Sequence, residues 1–122
     1  MLETGIDIIE VKRIAKAIGN PSFISKYFHP VEIEYSGNSV NAAQHYAARF
    51  AAKEAVRKVL LSYVDNLSWL DTWIENDETG KPRLVFSENV LMQIDIRQTS
   101  CSLSHTSENA IASVILDVKL MK

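Results

Sequence analysis

Residues 47 to 55 read Ala47-Ala48-Arg49-Phe50-Ala51-Ala52-Lys53-Glu54-Ala55, with no glycine or proline. Alanine has the highest helix propensity, so this stretch is the middle of a strong helix. Its small side chains let a neighbouring element approach closely. At about 100° per residue, Ala43, Ala47, Phe50, Ala51 and Leu61 fall within about 60° of Glu54. A carboxylate therefore lies on the stripe expected to be buried. Leaving it there without a partner costs several kcal/mol, so a cation, a metal ion or a ligand is expected beside it. The alternative places Glu54 at the edge of the stripe, paired across one helical turn with Lys58 for about 0.2–0.5 kcal/mol.

Composition narrows what surrounds this helix. At 122 residues and 47% hydrophobic content, the chain suits one domain, 1–122, with an ordinary core. A net charge of -2 gives no footprint for nucleic acid or an anionic membrane. The single cysteine, Cys101, excludes an internal disulfide and a cysteine-rich zinc site. No apolar run approaches the roughly 18–20 residues of a membrane span. Acidic Glu3 and the lack of a basic leading region argue against a signal peptide, so a cytoplasmic location is expected.

Leu2 to Ile9 alternates as a strand, with Ile6 and Ile8 on one face and Asp7 and Ile9 on the other. Gly5 marks a bulge or a close approach to the backbone. Asp7 is out of place between isoleucines, either as a partly exposed edge residue or for a functional reason. Glu10 to Ile18 forms a short amphipathic helix with Val11, Ile14, Ala15 and Ile18 on its apolar face. Lys12, Arg13 and Lys16 gather on the exposed side, either simply solvated or ready to dock an acidic partner. Phe23, Ile24 and Tyr27 supply packing, and Pro30 opens a further helix. Ser39 or Asn41 caps the central helix, which extends to about Ser62.

Leu67 to Asp77 alternates as a strand, and Arg83 to Phe86 returns after a turn through Gly80 and Pro82. Ser87 caps a short helix to Ile94; Gln98 to His105 and Ala110 to Val118 close the chain as strands around a Thr106–Asn109 turn. In Gln98 to His105, Ser100, Ser102 and Ser104 share one face. The expected fold class is α+β: a small antiparallel sheet packed against the long central helix.

Four separated segments, in order, carry a family resemblance: Gly5-Ile6-Asp7-Ile8-Ile9-Glu10, Arg49-Phe50-Ala51-Ala52-Lys53-Glu54-Ala55, Asn76-Asp77-Glu78-Thr79-Gly80-Lys81-Pro82 and Ser102-Leu103-Ser104-His105-Thr106. Together they resemble the holo-[acyl-carrier-protein] synthases, the small trimeric class of phosphopantetheinyl transferases. The resemblance implies Mg²⁺-dependent transfer of the phosphopantetheine arm of coenzyme A to a serine of acyl carrier protein, with release of adenosine 3′,5′-bisphosphate. It implies Asp7 and Glu54 as metal ligands, with Lys58 completing the catalytic set beside the diphosphate. It places Arg49 and His105 near the 3′-phosphate, with Ser104 and Thr106 next to them, and Gly80, Lys81 and Pro82 at the adenine. Lys12, Arg13 and Lys16 become the carrier-binding face, and a homotrimer brings active sites to subunit junctions.

The chain also departs from the family pattern. Leu60-Leu61-Ser62-Tyr63-Val64 stands where the family has a glycine loop. Side chains there obstruct close approach of phosphate to the backbone. The second expectation is therefore a specialised paralogue, or one that holds a carrier protein without efficient transfer.

Overall fold

The computed structural model describes residues 1–121. Its centre is the alanine-rich helix, α4 (Ala42–Leu60). Ala47, Ala51, Ala52, Ala55, Val56 and Leu60 are fully buried along it. Beneath them lies a three-stranded antiparallel sheet of β1 (Leu2–Glu10), β5 (Asn109–Leu120) and β4 (Ile94–His105), in the order β1-β5-β4. The central strand turns Ala110, Ala112, Val114, Leu116 and Val118 inward, all buried. Alanine against alanine permits a close helix–sheet approach, and Gly5 shows how close. A Cβ at that position would collide with the carbonyl oxygen of Ala55. The β1–β5 register runs unbroken from Leu2–Asp117 to Glu10–Asn109, so Gly5 answers a close contact and not a bulge.

Three short helices close the other side of α4. These are α1 (Val11–Ala17), α2 (Pro21–Tyr27) and α3 (Pro30–Gly37). Asn20 caps α2 by accepting from Ser22 N, and His29 and Glu32 cap α3 reciprocally. Phe23, Tyr27, Phe28, Phe50 and Trp69 meet edge-on or tilted in the space between, and Phe50 stacks on Trp69. Glu32 does more than cap. Its carboxylate is fully buried and accepts from Lys53 Nζ at 2.8 Å, Ile74 N at 3.0 Å and His29 N at 2.9 Å. Lys53 also donates to Thr72 O at 2.7 Å. One ion pair thus ties α3, α4 and the strand that follows.

That strand is shorter than its alternation suggests. Ser68 and Asp71 cap each other across a 3-10 turn, Trp69–Asp71. Asp71 also accepts from Ser87 Oγ at 2.7 Å and Asn89 Nδ2 at 3.1 Å, fixing the turn. Only β2 (Thr72–Asn76) is extended, paired antiparallel with β3 (Pro82–Phe86). The α5 helix (Glu88–Leu91) ends before Ile94, which instead opens β4, and a bulge lies between Ile96 and Gln98. Two further expectations are corrected. Ala15 is exposed, and α4 stops at Leu60, leaving Leu61 outside the buried stripe.

Candidate active site

Asp7 lies on the inner face of β1, between Gly5 and Ile9, turned toward α4. Its carboxylate Oδ1 accepts from Lys58 Nζ at 3.0 Å, and the same ammonium donates to Ile6 O at 3.1 Å. Glu54 stands one turn before Lys58 on α4 and so faces the same side. It is half-buried, and its carboxylate has no hydrogen-bond or ion-pair partner among the described residues. The edge position weighed from periodicity is correct, but the pairing is not: Lys58 reaches across to Asp7 and leaves Glu54 free. Asp7, the Ile6 carbonyl and the Lys58 ammonium therefore meet in the seam between β1 and α4, and helical spacing puts Glu54 on the Lys58 side of the helix.

Hard oxygen donors of this kind suit a hard divalent cation, and the Lys58 ammonium already stands as a cation against Asp7. No cluster of three or more His, Cys, Asp or Glu forms among the described residues. A site with two protein carboxylates takes its remaining oxygens from substrate and water, the usual arrangement for Mg²⁺.

Arg49 is nine residues before Lys58. At about 100° per residue that is a half-turn, so the two project from opposite sides of α4, about 13 Å apart along its axis. Arg49 is 3% exposed. Its guanidinium donates to Asn76 Oδ1 at 2.7 Å and lies over the Tyr35 ring at 4.2 Å. Its Nε is buried without a partner. His45, one turn earlier, sits 6.3 Å from His105 between ring centroids and meets Tyr35 edge-on. Burial, then Arg49 and His105, push the His45 imidazole below its ordinary pKa. Arg49, the permanent cation of the three, therefore has the His45 and His105 rings gathered near it. His105 is exposed at the end of β4.

The other residues singled out from the sequence fall nearby or apart. Ser104 is exposed on the outer face of the sheet, opposite Ile111. Thr106 shapes the β4–β5 turn: its N–H donates to Asn109 O, and its hydroxyl accepts from Glu108 N and Asn109 N. In the β2–β3 turn Gly80 takes φ of 85°, a left-handed conformation open to glycine. Asp77 accepts from Thr79 and from Lys81 N, which holds that turn. Lys81 and Pro82 line a cleft with Arg83, Ser100 and Cys101 between β3 and β4. Lys12, Arg13 and Lys16 are exposed on α1, and Arg13 and Lys16 border a groove floored by Ala17 and Phe23. After α4, Tyr63 donates to Glu3 at 2.7 Å, tying that loop to β1.

Tyr35 and His45 carry no site role in the sequence pattern, and Asn76 enters only as the first residue of the turn motif. The spacing of His45, four residues before Arg49, was a usable signal. The contacts from Tyr35 and Asn76 depend on tertiary packing.

The model of the 4′-phosphopantetheinyl transferase superfamily matches residues 3–115. The chain belongs to this superfamily. Within it, a holo-[acyl-carrier-protein] synthase of Geobacter sp. (strain M21) is 40% identical over 120 residues, covering 93% of this chain and 96% of that protein. The Helicobacter pylori holo-[acyl-carrier-protein] synthase, solved in complex with coenzyme A, superposes with a TM-score of 0.81 at 30% identity, covering 94% of this transferase and 100% of that chain. The Bacillus anthracis enzyme, solved with CoA (3′,5′-ADP), gives a TM-score of 0.75 at 33% identity, with 93% of each chain covered. These likenesses place this phosphopantetheinyl transferase among the holo-[acyl-carrier-protein] synthases. Among the described residues, no helix is long and apolar enough to cross a membrane.

Proposed function

We propose that this protein moves the 4′-phosphopantetheine arm of coenzyme A onto a serine of an acyl carrier protein, with Mg²⁺, in the cytoplasm. The observation that carries the reading is the contact of Asp7 with Lys58 across the β1–α4 seam, with Glu54 one helical turn before Lys58. In the transfer, the serine oxygen bonds to the phosphorus nearer the pantetheine. The bond from that phosphorus to the bridging oxygen breaks, the serine proton leaves to a base, and adenosine 3′,5′-bisphosphate departs. Asp7 and Glu54 would hold the cation, which when bound neutralises charge on the transferred phosphoryl group. Lys58 offers an ammonium to the diphosphate. Arg49 offers positive charge to the 3′-phosphate, and His105, with His45 beside it, offers a ring N–H, next to Ser104 and Thr106. Gly80, Lys81 and Pro82 border the adenine.

The half-turn between Lys58 and Arg49 bears on assembly. One coenzyme A cannot easily serve both sides of α4 in one chain. A site completed by the Arg49 side of a second copy resolves this. The outer face of the sheet supports such association: Ile6 and Ile8 are 60% and 63% exposed, beside Leu2, Ile111 and Ile115. A homotrimer with active sites at its junctions, the assembly the family resemblance implies, would provide it.

The carrier docks on α1 in this reading. Lys12, Arg13 and Lys16 supply charge for an acidic helix, and the groove beside Phe23 accepts its apolar side. Arg13→Glu is expected to weaken carrier binding about tenfold or more, as truncation of an interfacial charge pair does, while leaving coenzyme A binding unchanged. Calorimetric titration with each ligand separates the two, and equal losses would remove Arg13 from the carrier face.

The reading as a whole is tested by mass spectrometry of an apo carrier incubated with the protein, coenzyme A and Mg²⁺. A gain of one phosphopantetheine arm is expected. Carrier binding without a mass gain would favour a holding role and overturn transfer.

A further inference from the structure

The Lys58 ammonium holds two oxygens of β1, Asp7 Oδ1 at 3.0 Å and Ile6 O at 3.1 Å, from a side chain that is itself 56% exposed. Asp7 is the more enclosed partner, at 21%. The ammonium therefore comes from solvent to a carboxylate fixed in the seam, while Glu54, on its own side of α4, is left without it. A divalent ion placed on Asp7 would meet a positive charge across the same carboxylate. An exposed lysine stem has the freedom to move away; a strand carboxylate opposite Ala112 does not.

The geometry points to Lys58 as a built-in competitor of the metal: its ammonium occupies Asp7 until a divalent cation displaces it, and the released ammonium is then free to take a phosphate oxygen of the substrate. This rests on the reading of Asp7 as a metal ligand. It gives Lys58 two alternative partners, one for each stage of loading. It also makes metal and diphosphate binding mutually reinforcing, because each removes a cost from the other. A lysine that served only to attract phosphate would not need to sit on a metal ligand.

The measurement uses the full-length protein without nucleotide, titrated with Mn²⁺ and followed by the electron paramagnetic resonance of the free ion. Lys58→Met is expected to bind Mn²⁺ about two- to fivefold more tightly than the wild type, the size of one partly exposed ion pair released. Simple charge repulsion would tighten binding too, so a second readout is needed. The Nζ resonance of Lys58 in the wild-type protein should move toward that of a free lysine as Mg²⁺ is added. Unchanged or weaker Mn²⁺ binding by Lys58→Met, or a Lys58 resonance indifferent to saturating Mg²⁺, overturns the displacement. Asp7→Asn separates the two layers. Loss of Mn²⁺ binding there, with no effect at Lys58, would leave the metal site standing and remove the competition. Wild-type Mn²⁺ binding by Asp7→Asn would remove the metal site and the competition together.

Discussion

Glu54→Ala and Asp7→Ala are each expected to lower carrier modification by at least about a hundredfold while the protein stays folded. Charge stabilisation by a bound cation supplies several kcal/mol to phosphoryl transfer, and each 1.36 kcal/mol is a factor of ten in rate. The stability side is small for different reasons at the two positions. The Glu54 carboxylate has no hydrogen-bond partner among the described residues, and alanine is the better helix former. Asp7 loses an ion pair to a lysine that is more than half exposed, worth about 0–1 kcal/mol. Initial rates from the mass-spectrometric assay, with circular dichroism melts alongside, test both halves. Near-normal turnover by either variant at low magnesium would end the assignment of that carboxylate to the metal.

The largest effect on stability is expected at Lys53 and Glu32. Their side chains are 1% and 0% exposed, and burial pushes the Lys53 ammonium pKa down while Glu32 pulls it back up. Lys53→Met leaves the carboxylate with only Ile74 N and His29 N as donors. Removing one member of a buried pair costs about 3–5 kcal/mol, because the other charge stays buried without its counter-charge. For a chain of this length that lowers the melting temperature by roughly 10 °C or more. The double variant Glu32→Gln with Lys53→Met should lose much less than the two single losses added together, since neither charge is then stranded. Strict additivity in denaturant melts would show that the two residues do not act as a pair.

Lys53 also marks the limit of what periodicity reveals. The alanines that bracket it predicted the central helix and its buried stripe, and Ile6, Asp7 and Ile8 predicted the two faces of β1. Those signals are local and repeat along one element. The partner of Lys53 lies 21 residues away on α3, with no spacing to betray it. The same holds for Arg49, whose hydrogen bond to Asn76 spans 27 residues. The error at Leu67–Asp77 has a local cause. Alternation suggested one long strand, but Ser68 and Asp71 spend their side chains on backbone N–H groups and turn the chain before Thr72. Asp7 and Glu54 stood out as acids in apolar settings, and family resemblance then joined them. That Lys58 would serve Asp7 in place of its helical neighbour was not legible, because i,i+4 spacing favours the opposite pairing.

The opposed faces of α4 have a genetic consequence. If each pocket borrows His105 from one protomer and Asp7 from another, two inactive proteins should revive one another. Coexpressed Asp7→Ala and His105→Ala chains would form mixed assemblies in which some pockets receive both intact residues. Recovered carrier modification from such a mixture, with none from either chain alone, is the behaviour of a helix that works for two neighbours at once.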